Sequence, residues 1–164
     1  MTAAQEKKKR AVISALAEAR KRLLDTASTL PPGQQDEVFL GIWSVKDLLA
    51  HLIGWDFANM EAVTAILDGQ LPAFYAHYDR DWQSFNARLV AQYKRDDFAE
   101  LVAAVEASHK ELVALLEAVP AAEFGRAACL RWKGYRMTIA AILQTEADDE
   151  KTHCAQVGAF ASSR

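Results

Sequence analysis

Apolar positions recur along this chain at three- and four-residue steps over long stretches, and that period predicts helices. From about residue 4 to 28, Val12, Ile13, Leu16, Leu23, Leu24 and Ala27 form one stripe among lysines and arginines, a first amphipathic helix ending before Pro31-Pro32-Gly33. The second helix is the best marked. Ser44 is its N-cap, Asp47 completes a capping box, and Trp43 can staple against Leu48. It is expected over Val45–Leu67, before Gly69, with Val45, Leu48, Leu52, Trp55, Asn59, Val63 and Ile66 facing inward.

Residues 70–95 form a connection too long for a turn and rich in aromatics (Phe74, Tyr75, Tyr78, Trp82, Phe85, Tyr93), with a short helix expected over Asp81–Tyr93. A third long helix starts near Asp97, where Glu100 holds the reciprocal capping position. It carries Phe98, Leu101, Val102, Val105, Leu112, Leu116 and Val119 inward before Pro120. The fourth runs from near Thr138 to about Phe160. No segment sustains the alternation of a strand, and no repeat is visible. The expected fold is all-α: a four-helix bundle, one domain over residues 1–164, with a long crossover between helices 2 and 3.

At 164 residues and 51% hydrophobic, the chain can close one core. A net charge of -3 gives no reason to expect a polyanionic partner, so no nucleic acid is expected. The run Lys7-Lys8-Lys9-Arg10 is read as a solvated helix end. Cys129 and Cys154 match neither a disulfide framework nor a cysteine zinc cage, which suits a reducing, cytoplasmic setting. No apolar run reaches the roughly 18 residues of a membrane span and the first residues lack a signal-type apolar stretch, so no membrane partner is expected.

One stripe is anomalous. On the fourth helix Ile139, Ile142, Glu146, Asp149, His153, Val157 and Phe160 share a face that is apolar at both ends and polar in the middle. Buried carboxylates and imidazoles are costly unless paired or metal-bound, so this stretch either faces water or is satisfied inside the bundle. Asp149 and His153, four apart, can reach a common ion. His51 borders the inward stripe of the second helix. If the long connection returns the chain to its starting end, helix 2 runs parallel to helix 3 and antiparallel to helix 4. His51 and His153 then lie at one level, roughly 10 Å from the same end. Two imidazoles and one carboxylate would leave coordination positions open, as in a reactive site. Zinc is the default ion; nickel, manganese and iron suit the same donors. The alternative is a satisfied core-edge His51 and an exposed Asp149–His153 surface pair.

The stretch Trp43-Ser-Val-Lys-Asp-Leu-Leu-Ala-His51-Leu-Ile-Gly-Trp-Asp56 resembles the W-[ST]-x-x-[DE]-x-[LV]-x-H-[LV]-x-x-W-[DE] signature of DinB-like proteins, a superfamily that includes mycothiol-dependent maleylpyruvate isomerases and ClbS-like resistance proteins. Asp81-Trp-Gln-Ser-Phe-Asn86 is similar to the family's aromatic-Asn element. Asp149-Glu-Lys-Thr-His153-Cys-Ala-Gln156 is similar to its closing [HED]-x-x-x-H-x-x-[QE]. The resemblance implies a four-helix bundle with metal ligands on helices 2 and 4, carried here onto His51, Asp149 and His153. Many members have His or Glu where this chain has the shorter Asp149.

Two E-x-x-H pairs, Glu106–His109 and Glu150–His153, match the ligand pair of di-iron bundles, but neither Glu18 nor Glu61 is placed to complete that site. His109 lies on the core stripe and His77 in the connection. Trp55, Tyr75, Tyr78, Trp82 and Asn86 can line a substrate pocket beside the metal. No phosphate-cradling or dinucleotide-binding glycine motif and no nucleophile elbow occurs. The expected function is a metal-dependent enzyme acting on a small molecule. Glu146 or Glu150 would orient a ligand or move a proton, and the resemblance favours transfer of a low-molecular-weight thiol. The alternative is a non-catalytic, ClbS-like protein that sequesters a small molecule. A homodimer is compatible with so small a bundle.

Overall fold

The computed structural model describes residues 2–77, 81–126, 131–132 and 135–163. Four helices of 21 to 25 residues carry the fold: α1 (Ala3–Ala27), α3 (Val45–Leu67), α6 (Phe98–Ala118) and α8 (Ile139–Ser162). Their starts are chemically marked. Ser44 accepts from the Asp47 amide while the Asp47 carboxylate accepts from the Ser44 amide, the capping box the sequence shows, and Asp97 and Thr138 cap α6 and α8 through their side chains.

Between α3 and α6 lie α4 (Ala73–His77) and α5 (Trp82–Tyr93); single-turn helices α2 (Pro32–Gln35) and α7 (Ala121–Phe124) follow α1 and α6. Strands were not expected, yet two short hairpins occur: β1 (Val38–Leu40) with β2 (Trp43–Ser44), and β3 (Arg131–Trp132) with β4 (Tyr135–Arg136). They are too short for alternation to register. Gly41, at φ 63°, takes the left-handed conformation that a two-residue hairpin turn requires.

Two apolar clusters fix the helix directions. One joins Val12, Ile13 and Leu16 of α1 to Val63 and Ile66 of α3, Leu112 and Leu116 of α6, and Ile139, Ile142 and Leu143 of α8. The other joins Leu23, Leu24 and Ala27 to Val45, Leu48 and Leu52, to Leu101 and Val105, and to Val157. Early α3 thus meets early α6, and early α1 meets early α8. Helices α3 and α6 are parallel, α1 and α8 are parallel, and the pairs oppose each other, as the crossover requires.

A buried polar layer separates the clusters, with one contribution from each long helix. Arg20 of α1 is 2% exposed. Its Nε and Nη2 donate to Glu150 of α8 at 2.9 and 2.7 Å, and its Nη1 and Nη2 to Asp56 of α3 at 2.8 and 2.9 Å. Ser108 of α6 donates to Asp56 at 2.6 Å. The two carboxylates hold the guanidinium charged despite the opposing effect of burial. Lys9, in the basic run read as solvated, is also buried: its ammonium donates to the carbonyls of Glu117 and Val119 and satisfies the end of α6.

Helix α5 sits very close to α3. A Cβ placed at Gly54 would lie 2.6 Å from Leu89 Cβ, nearer than packed carbons approach, so only glycine allows this contact.

Candidate functional site

The signature runs from β2 into α3: Trp43 lies on β2, and His51, Trp55 and Asn59 follow on one face of α3 at steps of about one turn. Antiparallel to it, α8 presents His153, Asp149, Glu146 and Ile142. Together with Tyr75, Trp82 and Asn86 these residues line a cleft of about 430 Å³.

At its outer end one donor atom each from His51, Asp149 and His153 lies within 4.8 Å of the others. Among the described residues this is the group of histidine, cysteine and acidic side chains arranged to hold an ion. The rings of His51 and His153 meet edge to face with centroids 5.7 Å apart, and Trp43 packs on His51 at 4.8 Å. His153 Nδ1 lies 2.8 Å from Gln156 Oε1, to which it can donate, and that leaves Nε2 facing Asp149 Oδ2 at 3.4 Å. Asp149 is the open side of the group, its side chain 57% exposed.

Electrostatics favour the metal-binding forms of His51 and Asp149 and oppose that of His153. Burial, reinforced by the positive charge of His153, drives the His51 ring down to about 3, so it is neutral at pH 7. Its Nδ1 is buried with no hydrogen-bond partner in the protein. An orphaned, neutral imidazole nitrogen beside a second imidazole and a carboxylate fits a divalent ion better than it fits a satisfied core-edge histidine. The hydrogen bond to His153 keeps Asp149 below the usual carboxylate range. Burial would lower His153, but Asp149 and Gln156 more than offset it and hold its proton more tightly.

The two acids expected to do chemistry separate. Glu146 lines the cleft, and burial, with Glu150 behind it, raises its carboxyl to about 8. Glu150 faces away into the Arg20 pair and is 1% exposed, so it braces the bundle rather than lining the cleft. The same pairing removes it from an E-x-x-H ligand set. His109 of α6 lies 3.9 Å from Asp56, beyond hydrogen-bond length, on the opposite side of the polar layer.

Trp55 and Asn86 do meet: the indole N–H donates to Asn86 Oδ1 at 3.1 Å. Trp82 stacks with Trp55 at 6.0 Å and contacts Phe74 at 4.2 Å, closing an aromatic wall with Phe85. Tyr78 lies outside the described residues. Tyr75 lines the cleft as expected, and Trp43 and Asn59 line it too, although their residue types alone do not mark them for it. For Asn59 a signal existed, since a polar residue on an otherwise apolar stripe asks for a partner.

A family model of the DinB superfamily matches residues 15–157. The chain belongs to the DinB superfamily. Two solved structures share the DinB-superfamily chain's fold. One is the colibactin self-resistance protein ClbS, solved in complex with a dsDNA, at TM-score 0.72 and 21% identity, covering 94% of this chain and 95% of the other. The other is an uncharacterised protein from Escherichia coli UTI89, at TM-score 0.71 and 18% identity, covering 94% and 93%. No curated protein matches the sequence significantly.

The ClbS complex corrects one expectation. The net charge of -3 gives no reason to expect a nucleic-acid partner, yet a protein of this fold is crystallised with dsDNA. A whole-chain charge balance averages over the surface, whereas phosphate contacts depend on where cations lie locally. No described helix is long and apolar enough to cross a bilayer.

Proposed function

We propose that this DinB-superfamily chain is a metal-dependent enzyme acting on a small molecule, with His51, Asp149 and His153 as ligands of one divalent ion. The convergence of one donor atom each from His51, Asp149 and His153 carries the proposal. Zinc is the first candidate, with nickel, manganese or iron suited to the same donors. Such an ion would polarise a substrate or lower the pKa of a bound water or low-molecular-weight thiol.

The chain's own residues supply the rest. Gln156 fixes the His153 tautomer. Trp43, Trp55 and Trp82 keep bulk water from one side of the cleft, and the Trp55 N–H holds the Asn86 amide in one orientation. Glu146 retains a proton at neutral pH and can pass it to, or withdraw it from, a group bound beside it. Transfer of a thiol such as glutathione, bacillithiol or mycothiol is the reaction class favoured.

The test is metal analysis of protein purified without a histidine tag, paired with His153→Ala. Stoichiometric metal in the wild type, lost in the variant, supports the enzyme; thiol consumption is then screened with the three thiols. Wild type that holds no metal even when zinc or nickel is supplied rejects it. The likeness to a self-resistance protein favours a second reading, sequestration of a small molecule in the same cleft without turnover. Because ClbS was crystallised with a dsDNA, a duplex titration belongs in the same experiment.

A further inference from the structure

Beside the cleft runs a groove of about 700 Å³ between the β1–β2 hairpin and α5. Leu40, Gly41 and Ile42 form one wall, and Gln83, Ser84 and Ala87 the other. Trp43 and Asn86 line both spaces, so the groove adjoins the cleft. The hairpin tip is unusual for a surface turn, because Ile42 there is 81% exposed. Ile42 thus holds an apolar side chain in solvent at the edge of the groove.

We propose that this groove is the second half of the binding site and takes the apolar body of a small molecule whose polar head lies at His51, Asp149 and His153. This rests on the metal-site reading above. The substrate class is therefore an elongated amphiphile: a donor head able to bind an ion, then a hydrocarbon or planar body of several carbons. Two observations favour that occupant over a protein partner. The groove shares Trp43 and Asn86 with the cleft, so a molecule anchored in the cleft lies directly beside it. Only eight residues line it, against roughly 20 to 30 a side in a stable protein interface. The polar side chains of Gln83 and Ser84 on the α5 wall leave the apolar contacts to the hairpin, so Ile42 is the residue that sets preference for the body.

The experiment is a chain-length series. Zinc-loaded protein is titrated with straight-chain hydroxamates from acetohydroxamate to octanohydroxamate, for wild type and Ile42→Asp. Because Ile42 is exposed, the variant leaves the core untouched. In wild type, affinity rises about two- to fourfold per added methylene once the chain passes Trp43, following the cost of hydrocarbon in water. In Ile42→Asp that rise is lost, while zinc and acetohydroxamate bind as in wild type. A flat wild-type series with zinc and acetohydroxamate bound overturns the groove and leaves the metal site standing. An equal slope in the variant overturns it too, as does a monomer–dimer change in Ile42→Asp with the slope intact, which would assign the hairpin to a second copy. If zinc does not bind, the metal reading fails by itself. The groove is then read from backbone amide shifts of Gly41, Ile42 and Ala87 as octanohydroxamate is added to the metal-free protein: shifts that grow with chain length support it, and none rejects it.

Discussion

Replacing Arg20 by methionine strands two carboxylates in the middle of the bundle. Asp56 and Glu150 are 0% and 1% exposed, and Arg20 supplies four of their short hydrogen bonds. Removing one partner of a buried ion pair costs about 3 to 5 kcal/mol, because the remaining charge is left without solvent or counterion. For a chain of this size that corresponds to a melting temperature lower by about 6 to 20 °C. The loss also depends on pH, and its sign can be derived. In wild type, burial would raise the Asp56 carboxyl, but His109 close by at 3.9 Å and the hydrogen bonds from Arg20 and Ser108 hold it below its ordinary value. Its contribution is present above the unfolded-state pKa and fades as pH falls through the folded one. In Arg20→Met the stranded carboxyls shift upward instead, so the variant gains stability as pH falls through their raised values. The two stability curves, from urea unfolding at pH 4.5, 6 and 7.5, converge toward acid. Adding Asp56→Leu and Glu150→Met to the variant recovers part of the loss. A deficit under about 1 kcal/mol, or one equally large at all three pH values, refutes the assignment of Arg20 as the charge that holds this layer together.

Glu146→Gln should flatten the stability of the metal-free protein between pH 5 and 9. A carboxyl raised to about 8 keeps the fold at full stability below its unfolded pKa and destabilises it as pH rises through the folded value, by up to about 4 to 5 kcal/mol; unchanged curves in the variant would contradict this. Zinc affinity, followed by calorimetry from pH 5.5 to 7.5, should fall with a slope of one proton as pH falls through the raised His153 pKa, since His51 is already neutral there; a slope of two would mean that His51 also titrates. Gln156→Leu removes no ligand but frees the His153 ring, and should weaken zinc about 10- to 100-fold with no comparable change in thermal stability of the metal-free protein.

Much of this arrangement is legible in residue spacing. Ser44 and Asp47 mark the start of α3, the length of the 70–95 segment implies the crossover, and the crossover brings His51 level with His153. The hairpin at 38–44 was not legible, because three residues paired with two are too few to alternate. Arg20 escaped notice for a different reason. It sits three and four residues from Leu23 and Leu16 on the apolar stripe, but in a helix crowded with lysine and arginine one more basic residue looks like solvated surface. Glu150 was misplaced in turn: without Arg20 in view, an acid beside a proposed ligand suggested chemistry. A charged residue on an apolar stripe identifies a need for a partner without naming it.

The contact of Gly54 with Leu89 has a consequence for what the protein admits. Helix α5 carries Trp82 and Asn86, so the aperture of the binding space is set by how near that helix lies to α3, and that spacing is governed by a residue with no side chain. Alanine at 54 would push the helix outward as a unit, widening the opening to bulkier molecules although position 54 lines neither the cleft nor the groove. Selectivity for size is thereby written on the back of the wall.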